Sequence, residues 1–124
     1  MQYFDSFFLV FIGGGLGSLV RFLIGLVLRG IENARIPWST LVANGIACFV
    51  LGAVMGLHLS GQMTDERRLL LGTGFCGGLS TFSTFIAENL GLYHSGHTDL
   101  MLFNTAISLI VGLICLFLGL KMTL

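Results

Sequence analysis

Charge is scarce in this sequence, and that scarcity excludes most soluble classes of protein. Asp, Glu, Lys and Arg together make up 10% of the 124 residues, whereas apolar residues make up 55%. Soluble domains carry about 25% charged residues, so this chain has too little charge to face water on all sides. The polar stretches between its apolar runs are short, which leaves no room for a separate soluble domain.

Cysteine and catalytic clusters are also sparse. Cys48, Cys76 and Cys115 are the three cysteines, an odd number that argues against a closed disulfide set. They are not spaced as metal ligands, so we interpret them as small apolar packing residues.

No phosphate-binding loop and no nucleophile with a base and an orienting group is present, so an enzyme is not expected. The N-terminus lacks a basic run before its apolar segment, and we interpret that segment as a retained first span.

Four long apolar runs dominate what is present. They cover residues 7–28, 38–59, 69–93 and 100–120. Each reaches the ~20 residues that a helix needs to cross ~30 Å of hydrocarbon. The sequence therefore predicts an all-α integral membrane protein, with residues 1–124 forming a single four-helix transmembrane domain.

The basic residues are divided almost evenly between the two sides that these spans define. One side carries Arg67, Arg68 and Lys121; the other carries Arg29 and Arg35, with Arg21 deeper in the first span. Short loops normally show a clear excess of Lys and Arg on the cytoplasmic side. A chain without this bias is expected to insert both ways, which predicts an antiparallel, dual-topology homodimer. The alternative is that a weak bias still fixes one orientation.

The first span contains "GGGLGSLVRF", residues 13–22. Its small residues predict close helix contact, as do Gly25 and the glycines of the second span. Arg21 is costly at this depth unless it pairs, reaches the interface or faces water. It either holds anions near a vestibule or binds helix-end carbonyls or an acid such as Glu88.

Polar side chains spaced four residues apart mark two further spans. Thr40 and Asn44 share one face of the second span, and Asn104 and Ser108 share one face of the fourth. A carboxamide in hydrocarbon must find partners. Asn44 is therefore either glue between helices or part of the lining of a polar track.

The third span contains "GFCGGLSTFSTF", residues 74–85. Residues 72–78 are poor helix formers and predict a helix broken near the bilayer centre, where freed carbonyls can bind cations. After them, Phe82 and Phe85 lie on one face, beside Thr84 and Glu88. The alternative is ordinary packing, with each hydroxyl bonded to the carbonyl four residues earlier.

These polar faces offer neutral donors and no acid-lined interior. Phenyl rings have electropositive edges, and an anion that meets ring edges, an amide and hydroxyls is solvated weakly enough to leave again. The residues alone predict a pore for a small ion, with an anion favoured over a cation.

The motifs "GGGLGSLVRF", "STLVAN" and "GFCGGLSTFSTF" followed by Glu88 resemble the Fluc (CrcB) fluoride channels. The resemblance covers all four spans. It implies a dual-topology homodimer with two pores in the bacterial cytoplasmic (inner) membrane, passively exporting fluoride that entered as HF. It also implies a structural Na⁺ at the dimer interface.

The resemblance assigns roles to residues that match the family's motifs. Carbonyls of Gly77 and Ser80 would bind the Na⁺, and Phe82 and Phe85 would line the pores. The remaining pore residues implied are Asn44, Thr40, Ser108, Thr84, Glu88 and, in the vestibule, Arg21. Two positions depart from the family: Ser80 stands where threonine is common, and Asn104 where relatives carry an aromatic hydroxyl.

Two other classes remain open at this stage. A small multidrug-type, proton-coupled exporter of organic cations also has four spans. Such exporters use an acid buried within the first span, whereas in this sequence Asp5 lies at the edge of the first span. A non-transporting assembly subunit held by glycine faces is the other. His94 and His97 are interpreted as solvated loop residues, with a metal-binding pair as the alternative.

Overall fold

The computed structural model describes residues 2–31 and 35–124, and all regular structure within them is helical. Four of its helical spans are long and apolar enough to cross a membrane, which confirms the prediction of an all-α membrane protein with four spans. The elements are α1 (Tyr3–Leu28), α2 (Trp38–Leu59), α3 (Asp65–Arg68), a π-helical segment (Leu69–Cys76), α4 (Gly77–Leu79), α5 (Phe82–His94) and α6 (Thr98–Thr123). We call residues 65–94, from α3 to α5, the third span.

The helix ends follow from local sequence. Gly61 and Gly96 come directly after the residues that cap α2 and α5, and they have positive φ of 74° and 79°. Glycine adopts this left-handed conformation without the steric cost of a Cβ. The N–H groups of Gln62 and His97 then donate back to helix carbonyls at 2.9 Å each. Both loops are therefore tight reversals.

Glycines bring α1 into backbone contact with the third span. A Cβ on Gly13 would lie 2.2 Å from the Leu70 carbonyl oxygen, and one on Gly17 would lie 2.1 Å from that of Phe75. These distances leave no room for any side chain, which confirms the predicted close contact at both positions. Gly25 differs, because a Cβ there would meet no described atom of this chain within 4 Å, so it makes no close helix contact within the single chain.

A second glycine contact joins α2 to α6. A Cβ on Gly52 would lie 2.1 Å from the Leu116 carbonyl oxygen, and one on Gly119 would lie 2.0 Å from that of Phe49. The Thr123 hydroxyl also donates to the Ala53 carbonyl at 2.8 Å. The chain thus forms two close helix pairs, α1 with the third span and α2 with α6.

Residues 72–78 differ from their prediction. They were expected to interrupt the third span, but they are helical, in the π-helical segment and α4. Non-helical backbone lies a few residues later, at Ser80 and Thr81. Glycine has low helix propensity in water, but hydrocarbon offers backbone groups no alternative partner. Two of these glycines serve the close contact with α1: a Cβ on Gly74 would lie 3.0 Å from the Gly13 Cα, and one on Gly78 would lie 2.2 Å from the Gly14 carbonyl oxygen.

Candidate functional site

The backbone of the third span is extended at Ser80 (φ −77°, ψ 156°) and Thr81 (φ −150°, ψ 119°). In a continuous helix the Thr81 N–H would donate to the Gly77 carbonyl. Here it donates to Asn44 Oδ1 at 2.8 Å, and Asn44 Nδ2 donates to the Thr81 carbonyl at 3.3 Å. The Asn44 amide therefore satisfies both backbone groups of Thr81 and so links α2 to the third span, which is the interhelical role considered in the sequence analysis.

Hydroxyls around the extended pair make different kinds of hydrogen bond. Ser80 Oγ donates to the Cys76 carbonyl at 2.8 Å, which is the ordinary bond to the carbonyl four residues earlier. Thr81 Oγ1 instead accepts from the Thr84 N–H at 3.2 Å and caps the N-terminus of α5. The extended pair thus ends one helix and begins the next, with a cap on the second.

Arg21 contacts the carbonyl end of α4. Its Nε donates to the Gly78 carbonyl at 3.2 Å, so the alternative in which Arg21 binds a helix-end carbonyl is present in the structure. The same side chain lines a cavity of about 520 Å³, together with Thr40, Thr81 and Thr84. We call this the guanidinium cavity, since Arg29 also lines it. A hydrogen bond to a helix-end carbonyl and a position beside a cavity that could hold anions are therefore compatible for Arg21.

Phe82 and Phe85 lie at a second cavity, of about 410 Å³, which we call the ring cavity. Their ring centroids are 6.3 Å apart and the ring planes are inclined by 42°. Asn44 and Ser108 also line this cavity. The structure therefore brings together an amide, a hydroxyl and two aromatic rings from three spans at one cavity.

Glu88 lies at a third cavity, of about 480 Å³, which we call the carboxylate cavity. Arg35 and His97 line it too. The Thr40 hydroxyl, which lines the guanidinium cavity, donates to Glu88 Oε1. Thr81 lines both the ring cavity and the guanidinium cavity. The three cavities therefore follow one another along the third span, adjoining at Thr81 and at the Thr40–Glu88 hydrogen bond.

Gly77 and Ser80 line a smaller cavity of about 200 Å³, with Thr73 and Cys48. Ser80 and Cys48 also line the ring cavity. Both residues are exposed in the single chain. The Gly77 carbonyl is released from its helical donor because Asn44 takes the Thr81 N–H. Carbonyl oxygens are hard donors of the kind that hard cations prefer. The residues present therefore fit an oxygen-bound cation.

His97 was predicted to be solvated, and the structure shows it half-buried. Its Nε2 contacts Arg35 Nη1, which joins the first and third loops. Its Nδ1 is buried and has no hydrogen-bond partner in the described part of the chain. His94 is exposed, with its ring set edge-on to Tyr93. Among the described residues no cluster of metal-binding side chains is present.

Asn89 and Asn104 form a buried pair that the sequence analysis missed. Asn104 Nδ2 donates to Asn89 Oδ1 at 2.8 Å, and Asn89 Nδ2 donates to Thr105 Oγ1 at 3.0 Å. In the sequence analysis Asn104 was placed beside Ser108 on one face of the fourth span, and Asn89 was assigned no role. The signal was available, because two carboxamides in apolar spans each require partners, but spacing along the chain did not identify the pairing.

Four apolar spans, with a polar track of neutral donors and a guanidinium beside the third of them, define a small multi-pass membrane protein. The chain belongs to the CrcB family, because the family model described as "CrcB-like protein, Camphor Resistance (CrcB)" matches residues 8–120. This confirms the family to which the sequence motifs pointed.

Similar proteins from other organisms agree with this assignment. The chain is similar to the "Fluoride-specific ion channel FluC" of Pyrococcus horikoshii, with 45% identity over 112 residues, covering 90% of this chain and 89% of the relative. It is 39% identical over 117 residues to the protein of the same name from Azobacteroides pseudotrichonymphae, covering 94% of both. With that of Thermus thermophilus it shares 38% identity over 118 residues, covering 95% of this chain and 94% of the relative. Their names denote channels and not enzymes, in agreement with the sequence prediction.

Proposed function

We propose that this protein is a fluoride channel that passively exports fluoride across the bacterial inner membrane. The observation that carries the proposal is the ring cavity, where Phe82, Phe85, Asn44 and Ser108 meet. Fluoride as the ion is supported by the relatives, which are named fluoride-specific channels and align with nine-tenths or more of this chain.

Weak and repeated contacts would replace the water that fluoride gives up. Ring edges carry partial positive charge, and the hydroxyls of Ser108 and Thr84 are neutral donors. Asn44 Nδ2 has two N–H groups, of which one donates to the Thr81 carbonyl, so the other remains for an ion. Conduction requires binding that allows exit, and none of these groups carries full charge. Arg21 and Arg29 would concentrate anions at the guanidinium cavity.

The working unit in this proposal is an antiparallel dimer with two pores. Phe82 is 76% exposed in the single chain, and Ser83 and Thr84 beside it are exposed too. Hydroxyls in a membrane span are usually turned toward protein or water, not toward lipid. A second copy against this face would cover them and complete the pore wall. Insertion in both directions is supported by the balanced basic residues on the two sides.

A Na⁺ held by the carbonyls of Gly77 and Ser80 would belong to the same dimer interface. The third span would then be a helix broken near the bilayer centre, with the extended pair Ser80–Thr81 as the break. The ion's contribution would be positive charge and fixed geometry for carbonyls that the break exposes. The chain's own contribution is the Asn44 amide, which holds Thr81 in the extended conformation.

The test is fluoride efflux from liposomes that contain the purified protein. We expect rapid fluoride efflux when a potassium ionophore supplies the counter-charge, and little chloride efflux under the same conditions. Phe82→Ile should lower the fluoride rate because it removes a ring from the cavity wall. Phe103→Ile is the matched control, since Phe103 is exposed on α6 and is not among the residues that line the ring cavity.

The outcome also separates the other classes. Absence of fluoride efflux from well-folded protein would overturn the proposal. Uptake of an organic cation driven by a proton gradient would support the multidrug-type exporter, for which α1 offers only Asp5 in its first turn. If Phe82→Ile and Asn44→Ala changed complex formation and no flux, the assembly subunit would be supported.

A further inference from the structure

We infer that Asn89 and Asn104 are positioning residues for the pore: they fix the rotation of α5 about its axis and so aim Phe85 and Glu88. The inference rests on the proposed function, because it concerns how that same path is held in shape. The juxtaposition that carries it is a buried amide pair between α5 and α6, one residue beyond Glu88.

The pair is hydrogen-bonded and shielded from the path. Asn104 is 1% exposed and Asn89 is 8% exposed. Neither is among the residues that line the ring, guanidinium or carboxylate cavities. Asn104 Nδ2 donates to Asn89 Oδ1, Asn89 Nδ2 donates to Thr105 Oγ1, and Thr105 Oγ1 donates to the Met101 carbonyl at 2.9 Å. Asn104 therefore acts through Asn89 and does not meet the ion.

The reason for such an anchor is the extended pair that precedes α5. Ser80 and Thr81 interrupt the helical hydrogen bonds, so the π-helical segment and α4 do not fix the rotation of α5. At the start of α5, the Asn44 amide holds Thr81. Farther along, the hydrogen bonds that the structure describes between α5 and other spans are those of Glu88 with Thr40 and of Asn89 with α6.

Because α5 is a rigid helix, the hydrogen bonds of Asn89 also fix the directions of the pore residues on α5. Phe85 and Asn89 are four residues apart and lie on one face of α5, so the azimuth of Asn89 sets that of Phe85. Glu88 is one residue away, about 100° around the helix, which turns it toward Thr40 on α2. Release of Asn89 would permit α5 to rotate, which would shift a phenyl ring and a carboxylate together.

The experiment uses single-channel recording of reconstituted full-length protein with matched substitutions at the anchor. Thr105→Val removes the hydroxyl that accepts from Asn89 and keeps the shape of the side chain, and Thr105→Ser keeps the hydroxyl. Asn104→Leu removes the donor to Asn89 Oδ1. We expect Thr105→Val to lower unitary fluoride conductance about threefold and Asn104→Leu about tenfold, with a rise in chloride permeability, and Thr105→Ser to match the parent.

A merely structural role gives a different result. It would reduce the number of channels that assemble and leave the unitary conductance and the chloride permeability of each at parental values. That result for Thr105→Val would overturn the inference even if Asn104→Leu failed to fold. Failure of the proposed function is distinguishable, since it would appear as no fluoride current in the parent protein.

Discussion

The Asn44 side chain holds the third span and, in the proposed function, also lines the pore. Its Oδ1 and one of its Nδ2 protons hold the backbone of Thr81, and the ring cavity lies beside it. A buried donor or acceptor that loses its partner costs about 1–3 kcal/mol. The amide is thus needed for the shape of the third span before any ion enters the path.

Substitution of Asn44 and of Ser108 should separate these roles. Asn44→Leu leaves the N–H and carbonyl of Thr81 unpaired, and we expect the free energy of unfolding in detergent to fall by about 2–4 kcal/mol, together with fluoride flux. Ser108→Ala removes a hydroxyl that lines the same cavity and makes none of the hydrogen bonds described here, so it should lower flux with unfolding unchanged. Equal thermal stability for Asn44→Leu and the parent would contradict the role in fold.

Residue pairings were the least predictable part of the site. That Asn44 needs partners follows from a carboxamide in hydrocarbon, and the sequence left open whether it was glue or lining. That Thr81 is the partner depends on backbone torsions that no local propensity encodes. Asn89 and Asn104 were not paired in advance, because their contact depends on the rotation of α5 against α6.

The third span was predictable as an element and not in its internal geometry. Its length and apolarity marked it as a span, and residues 72–78 predicted a break in its helix. Low glycine propensity describes helices in water, whereas backbone in hydrocarbon stays helical unless another group supplies hydrogen bonds. Asn44 supplies them at Thr81, so the extended pair lies there.

Two glycines on α1 should respond differently to substitution by alanine. Gly17→Ala places a methyl group 2.1 Å from the Phe75 carbonyl oxygen and should separate α1 from the third span. Overpacking of this kind costs about 1–3 kcal/mol or more. Gly15→Ala meets no atom within 4 Å, and should leave the free energy of unfolding within about 0.5 kcal/mol of the parent. Thermal unfolding of the two variants in detergent is the measurement, and equal destabilisation would contradict the contact.

The whole molecule exposes a polar and aromatic face that one copy does not cover. Phe82, Ser83 and Thr84 are all exposed there. In lipid this face needs another protein surface, and a second copy inserted the other way round is the proposed partner. Activity should therefore depend on the presence of both orientations.

Added charge in the loops tests that dependence. Gln62→Lys with Met63→Lys should hold the second loop in the cytoplasm. Tyr93→Lys with His94→Lys, in the last turn of α5 beside the third loop, should do the same for that loop. Each double variant alone should insert in one orientation and conduct little fluoride, whereas co-expression of the two should restore flux. Cysteine labelling from each side of the membrane reports orientation. Full activity of either variant alone would refute the antiparallel dimer.

The hydrogen bonds that hold Thr81 and Asn89 join amides, a hydroxyl and backbone groups, all of them neutral. Salt screens interactions between exposed charges, with a Debye length of about 10 Å at 0.1 M salt. It has little effect on hydrogen bonds between neutral, buried groups. The internal shape of the third span should therefore be the same in dilute and concentrated electrolyte. Any dependence of fluoride current on added inert salt would then report how ions approach the guanidinium cavity.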